Sequence, residues 1–399
     1  MNQRVLRRAF SAAALVTMCA WLGVSFGGAK TSSGTDQSIS RLNEKVAAWN
    51  PKAAAAYLDQ RERWWMGWQD AAREQGTFCI SCHTSVPYAL ARPALRDALG
   101  EKAPNEIERM LIANEAKRVR MWKELSPVYN DKDDGPNKSS ESRSTEAVLL
   151  AFTLASNDAR SGRLSDETRR AFDNLWALQQ TSGPSKGAWL WQLFDLNPWE
   201  GSISPYNGAT LAAIAVGNAP GNYRSTPAIQ TNLRLLREYL DREYDSQPLI
   251  NRISLVWAAT KWPGLVTSER QKSVLSDILS KQQADGGWSL FPLTRTWRDW
   301  GPSSLVGEWK RPDGTLQEKR SDGYATGFVV YVLQQAGVPR ENASVQRGRQ
   351  WLIQNQDRSE GMWVAYSLNK RRDPNSNAGR FMTDAATAYS VLALSDAAQ

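Results

Sequence analysis

The chain has 399 residues, 41% hydrophobic and 23% charged, with one histidine, three cysteines and a net charge of +8. This globular composition excludes a disulfide-stapled scaffold, a histidine-rich metal centre, and a Ser-His-Asp triad unless the lone histidine supplies it. Lys and Arg are scattered among nearly as many acids, with clusters no longer than Lys370-Arg371-Arg372, so no nucleic-acid partner is expected.

Arg4, Arg7 and Arg8 precede an uncharged stretch from Ala9 to Ala29 that is rich in Ala, Leu and Val. A basic n-region, an apolar h-region and the small residues Gly27-Gly28-Ala29 match a secretory signal, and the uncharged run could also span a bilayer if it is not cut. Residues 1–29 are therefore read as a signal peptide or N-terminal anchor. Met18 before Cys19 makes a poor lipoprotein site. The expected location is periplasmic or otherwise exported, with membrane contact only through this segment. Residues 30–49 read as a flexible tether.

From about Asn50 onward, 3.6-residue periodicity replaces almost all alternation. Amphipathic helices are expected at 52–75, 105–123, 166–180, 231–244, 268–283 and 344–356. Nearly all-round apolar helices are expected at 82–99 and 249–260, and opening near Thr145, Tyr206, Ser321 and Met382; such helices are buried. Alternating apolar and amphipathic helices imply an inner and an outer ring, against an irregular bundle or an open solenoid. Residues 50–399 would form this unit.

The segment Cys79-Ile80-Ser81-Cys82-His83 holds the only histidine and both cysteines beyond the N-terminal segment. Cys-x-x-Cys-His is the attachment pattern of c-type haem: the thiols add across the vinyl groups and the imidazole binds iron. Zinc is disfavoured because only three ligands are present. A Cys79–Cys82 redox disulfide and inert cysteines are the rival readings. The resemblance to c-type cytochromes implies one covalently attached haem c, attachment outside the cytoplasm, and a redox partner protein. It labels the chain a haem, iron and metal-binding protein of cytochrome type, with electron transfer among its roles. His83 would be the first axial ligand. Met66 is a candidate for the second, beside Met110, Met121, Met362 and Met382, with core packing the alternative for each. Too few residues precede Cys79 for an independent cytochrome domain, which places the motif at the start of the first inner helix, at the mouth of the ring.

Asp131-Lys132-Asp133-Asp134 matches an Asp-x-Asp-Asp acid motif but stands some ten residues before the helix expected near Thr145, so a solvated acidic turn is the competing reading. Further on, outer helices end in a shared pattern: Gln179-Gln180 with Gly187-Ala188-Trp189, Gln282-Gln283 with Gly286-Gly287-Trp288, and Gln354-Asn355-Gln356-Asp357 with Gly361-Met362-Trp363. These segments resemble the Gln-Trp repeats of squalene-hopene cyclases and prenyltransferase β-subunits. The resemblance covers about residues 140–399 and implies an all-α (α/α)6 toroid. The same pattern recurs in helical-toroid polysaccharide lyases, so it speaks to fold more than to activity.

Long loops before the inner helices carry Trp189, Trp191, Trp199, Trp297, Trp300 and Trp309, and they would rim one mouth. Asp322 and Asp384 stand at inner-helix starts, either as caps or as catalytic groups. Three functions follow. One is a haem-dependent oxidative enzyme acting on a hydrophobic small molecule. Another is an electron-transfer or haem-sensing protein with the toroid as scaffold, and the last is a redox-independent cyclase or lyase.

Overall fold

A computed structural model describes residues 48–196, 198–295 and 310–395. The chain divides after Val46, and Ala47–Gln399 forms one compact unit. Helices α1 (Pro51–Gly67), α2 (Ser85–Leu99), α3 (Glu106–Arg120), α4 (Asp131–Asp134), α5 (Lys138–Ser161), α6 (Asp166–Ala177) and α7 (Ser204–Asn218) make up its first half. Helices α8 (Gln230–Arg242), α9 (Leu249–Lys261), α10 (Ser268–Ser280), α11 (Leu290–Leu293), α12 (Gly323–Gln335), α13 (Ala343–Asn355) and α14 (Phe381–Leu394) complete it.

The helix starts are written in the sequence as caps. Asn50 accepts from the Ala53 amide ahead of Pro51, Asn105 and Glu108 form a reciprocal capping box, and Ser165, Thr267 and Asn342 each accept from an amide of the following turn.

The apolar helices pack in a closed cycle, α2 on α5, α5 on α7, α7 on α9, α9 on α12, α12 on α14, and α14 back on α2. Small residues let them approach. A Cβ on Gly327 of α12 would lie 2.6 Å from the Ser390 amide nitrogen of α14. The amphipathic helices α1, α3, α6, α8, α10 and α13 lie against this cycle. The protein is therefore an all-α (α/α)6 toroid. Across its interior, the ring of Trp257 on α9 meets Phe152 of α5 at 5.8 Å, and Phe328 and Tyr331 of α12 at 6.2 and 5.4 Å.

The Gln-Trp segments have one geometry in each copy. The indole nitrogens of Trp189, Trp288 and Trp363 donate to Leu175, Ile278 and Leu352 carbonyls of their own outer helices, at 2.7, 2.8 and 2.7 Å. Gln179, Gln282 and Gln356 each donate to the carbonyl of the turn glycine and also to a carbonyl at the start of the next outer helix: Asn232, Ser344 and Asn50. The last of these joins α13 to α1, so the outer ring is closed by the same bond that links its members elsewhere.

Three expectations are corrected. The helix expected over 52–75 ends at Gly67, and a small hairpin follows: β1 (Ala72–Arg73) pairs with β2 (Thr77–Phe78) around Gln75 and Gly76, both at positive φ. The helix expected near Thr145 begins at Lys138. Trp189 and Trp191 are buried and do not rim a mouth, because their indoles are spent on helix ties and loop packing. Trp297, Trp300 and Trp309 lie outside the described residues. Among the described residues, no helix is long and apolar enough to cross a membrane.

Candidate functional site

The five residues 79–83 lie between β2 and α2, at the end of the toroid where the inner helices start. The loop is held from three sides. Trp65 of α1 donates its indole N–H to the Cys79 carbonyl at 2.8 Å, Asn114 of α3 bonds both the amide and the carbonyl of Phe78 at 3.0 Å, and the Cys79 amide donates to Ala71 at 2.9 Å. Ser81 then starts the helical turn, its hydroxyl accepting from the Thr84 amide at 2.9 Å. Helix α2 itself begins at Ser85, so the motif precedes the first inner helix and does not open it.

Cys79 and Cys82 are free thiols, the first buried and the second exposed. Cys82 is nonetheless surrounded. Burial is the main cause that pushes its thiol up to about 12, and Glu200 adds to the shift. Tyr129, Tyr324 and Tyr389 lie within electrostatic reach of it. The surroundings of the loop are aromatic on one side. His83 stacks on Phe381 of α14 at 3.7 Å and meets Trp65 edge-on at 5.4 Å, with Trp64 and Trp68 stacked beside them. Another group joins Trp199, Tyr324, Phe328 and Tyr389. Glu200 is half-buried, and its carboxyl is raised by burial against the pull of Arg372.

His83 has its value pushed down to about 3, first by burial and then by Arg61 and Arg372, so the imidazole is neutral at physiological pH. Its Nδ1 lies 2.9 Å from the Ser81 hydroxyl and 3.1 Å from Thr84 Oγ1. Thr84 Oγ1 donates onward to Asp384 Oδ2 at 2.9 Å. Asp384 also receives two bonds from Arg61, at 2.7 and 2.9 Å, and one from Tyr57 at 2.8 Å. Asp384 is thus fully buried directly behind the histidine. Asp322 is not brought to this cluster. It caps α12, accepting from the Ala325 amide at 2.9 Å and from Leu290 at 2.6 Å, and burial pushes its carboxyl up to about 7. Met66 is half-buried on α1 against the core. Asp131, Asp133 and Asp134 are exposed, and each accepts a bond from Ser139 or Asn130 nearby, which is the arrangement of a solvated acidic turn.

Tyr57, Arg61, Trp65 and Thr84 belong to this site and were not singled out from the sequence. The spacing 57, 61, 65, 68 along α1 was the available signal, since it places these side chains on one helical face.

Among the described residues, no group of three or more His, Cys, Asp and Glu side chains is placed to hold a metal ion. The labels of a metal-binding, iron-binding, electron-transferring c-type cytochrome are corrected accordingly: a protein-only ion site needs several converging donors, and Cys79, Cys82 and His83 do not converge on one point. Whether the same residues suit a covalently attached macrocycle is a separate question of fit, and here they do suit it. A thioether carries no charge and is at home where burial opposes the Cys79 thiolate, pushed up to about 12. Cys82 is accessible, and the neutral His83 is engaged through Nδ1, which leaves Nε2 for ligation.

No protein-family profile matches the chain, and no curated protein matches it. Among solved structures, the chain is similar to a glycosidase variant at 12% identity and a TM-score of 0.47, over 86% of this chain and 97% of that one.

Proposed function

We propose that the protein is an exported haem-dependent oxidative enzyme, with one haem held covalently at the mouth of the toroid and a hydrophobic, aromatic-stacking substrate beside it. The observation that carries this reading is the Cys-x-x-Cys-His loop set among aromatic rings, with Cys82 exposed and its sole imidazole neutral and engaged through Nδ1. Cys79 and Cys82 would each form a thioether by adding S–H across a vinyl group, and His83 Nε2 would ligate the iron. A macrocycle contributes its own four nitrogens, so a single protein donor suffices where a bare ion needs several. When bound, haem supplies one-electron and oxygen chemistry.

The chain's own residues do the rest. Trp65 and Asn114 hold the loop, while Phe381 and the Trp64–Trp65–Trp68 cluster wall one side. Trp199, Tyr324 and Tyr389 offer flat faces to an apolar substrate. Glu200, raised by burial, offers a carboxyl able to hold a proton there. A redox partner protein would exchange electrons at this mouth. The Gln-Trp ties support kinship with the cyclase and prenyltransferase toroids. The exposed, locally bonded Asp131–Asp134 turn supplies no buried acid for cyclisation.

Protein expressed with export and haem-attachment machinery should keep its haem absorption after denaturation, and Cys79→Ala or Cys82→Ala should sharply lower the yield of haem-bearing chain. Reduced protein should shift its spectrum with carbon monoxide. Haem removed by acid-acetone, or no haem at all, would refute covalent attachment. A reduced spectrum indifferent to carbon monoxide until Met66 is substituted would refute the enzyme in favour of an electron carrier.

A further inference from the structure

We infer that the loops 310–320 and 366–373 form one basic docking face beside the 79–83 loop, and that this face receives an acidic redox partner protein. The redox purpose of the face rests on the proposed function; its charge and its position do not.

The charge of the chain is concentrated there. Residues 310–320 hold four basic and two acidic side chains, and residues 366–373 hold three and one. The rest of 48–399 holds 36 of each sign, so the net charge of +4 on this part of the chain falls wholly on the two loops. They are also tied into one body. Arg311 is buried and donates through Nε to the Ser367 carbonyl at 2.7 Å, Gln317 donates to the Leu368 carbonyl at 2.6 Å, and the Arg371 amide donates to Asp313 at 2.7 Å. Arg320 joins them as well, bonding the Tyr366 hydroxyl and lying over its ring at 4.8 Å. Lys310, Lys319, Lys370, Arg371 and Arg372 stay exposed. Among the described residues, the side chains of Lys370, Arg371 and Arg372 enter no ion pair.

The loops lead into the inner helices α12 and α14, at the end of the toroid that carries 79–83. Asn377, just past the second loop, accepts from Arg61 at 2.8 and 3.0 Å, and Phe381 stacks on His83 at 3.7 Å. Arg372 itself lies within electrostatic reach of His83 and Glu200. Exposed like charges held side by side repel one another, which does nothing for stability but attracts and orients an opposite surface. A protein that exchanges electrons with haem at 79–83 has to stand at this end. Nucleic acid would need an extended basic track, and the balanced remainder of the chain offers none.

The probe for the test is flavodoxin, a small acidic flavin protein, used in its reduced form. One electron leaves the flavin and reduces ferric to ferrous haem, and the flavin proton goes to water. With haem-bearing protein, the second-order rate should fall about tenfold or more between about 50 mM and about 300 mM salt. Lys370→Glu with Arg371→Glu and Arg372→Glu should lower the low-salt rate about tenfold or more, and the corresponding Gln triple by less. Arg163→Glu with Arg169→Glu and Arg170→Glu, at exposed positions by the start of α6, changes net charge equally and should cost less than about threefold. Reduced methyl viologen, a small cation, should reduce the first Glu triple at least as fast as wild type. A rate indifferent to salt, or equal losses in the two Glu triples, would overturn the inference. In chain made without haem, nitrogen-15-labelled flavodoxin should show salt-sensitive shifts with wild type that vanish with the first Glu triple and persist with the second. Absence of haem from wild type counts against the proposed function, and these shifts then still decide the docking face. Polygalacturonate bound by this face while flavodoxin is not would overturn the partner in favour of an anionic polysaccharide.

Discussion

Within electrostatic reach of Asp384 lies a second buried acid. Glu62 of α1 is 0% exposed, and neither of its carboxyl oxygens makes a well-formed hydrogen bond. Burial raises it from an ordinary 4.5 to about 8, the neighbouring Glu115 pushing the same way and the Ser85 hydroxyl partly relieving it. The sign follows from comparing the two states of the chain. Between about 4.5 and 8 the unfolded carboxyl is ionised and the folded one is protonated, so the folded state binds the extra proton. Stability is therefore fullest below the unfolded value and is lost as pH rises through the folded one. Glu62→Gln removes this dependence. Its melting temperature should fall less than that of wild type between pH 5 and pH 8, with a gain of about 1–3 kcal/mol at the upper end. Parallel melting curves for the two proteins across that range would contradict the assignment. At the same scale, Asp322 and Asp384 read alike in sequence, since each stands at the start of an apolar helix. Only the packing separates them. Asp322 spends its oxygens on backbone amides, while Asp384 meets an arginine, a tyrosine and a threonine.

The turns that follow the outer helices repeat a demand on the backbone. Gly187, Gly286 and Gly361 take φ of +98°, +89° and +81°, and a Cβ on each would strike the next outer helix: Leu235 O at 2.1 Å, Arg347 O at 2.9 Å and Ala53 O at 2.2 Å. These glycines combine a left-handed conformation with a close approach, which explains why the Gly-Trp part of the motif recurs. Gly361→Ala should cost about 3 kcal/mol or more, since backbone must move to admit the methyl group. Gly183→Ala, also at positive φ but with nothing within 4 Å, should cost only about 1 kcal/mol. Chemical denaturation of the two variants checks the difference, and equal losses would show that the close contact does not matter. The hairpin after α1 shows the opposite case. Its strands are so short that no alternation pattern could announce them, and only Gly76 marked a break.

At the scale of the whole molecule, a ring depends on its last contact. Gln356 bonds Asn50 in both directions, accepting from its amide at 2.6 Å and donating to its carbonyl at 3.1 Å, across 306 residues of chain. Gln356→Ala should destabilise by about 1–3 kcal/mol, because partly buried backbone groups lose their partners. Hydrogen exchange should localise the effect, with α1 and the end of α13 opening more readily while α9, on the far side of the cycle, keeps its protection. Uniform loss of protection around the ring would mean that the tie is not a local clasp. The same closure brings α14 beside α1 and α2, so the site at 79–83 is expected to be sensitive to it.

The amino-acid sequence by itself determined the all-α class, the alternation of buried and amphipathic helices, the Gln-Trp segments, and the concentration of thiols and imidazole in one short loop. Each of these is a local signal: a 3.6-residue period, a cap, a turn glycine, a spacing within five residues. The tertiary structure alone decided that the ring closes, that the loop tryptophans Trp189 and Trp191 face inward, and that Asp384 lies behind His83. Ring closure and the place of Asp384 depend on contacts between residues about 300 positions apart, such as Thr84 with Asp384, and no period along the chain records which distant helix will be a neighbour. Hydrophobic pattern tells a helix which face to bury; the closure of the toroid decides what that face meets.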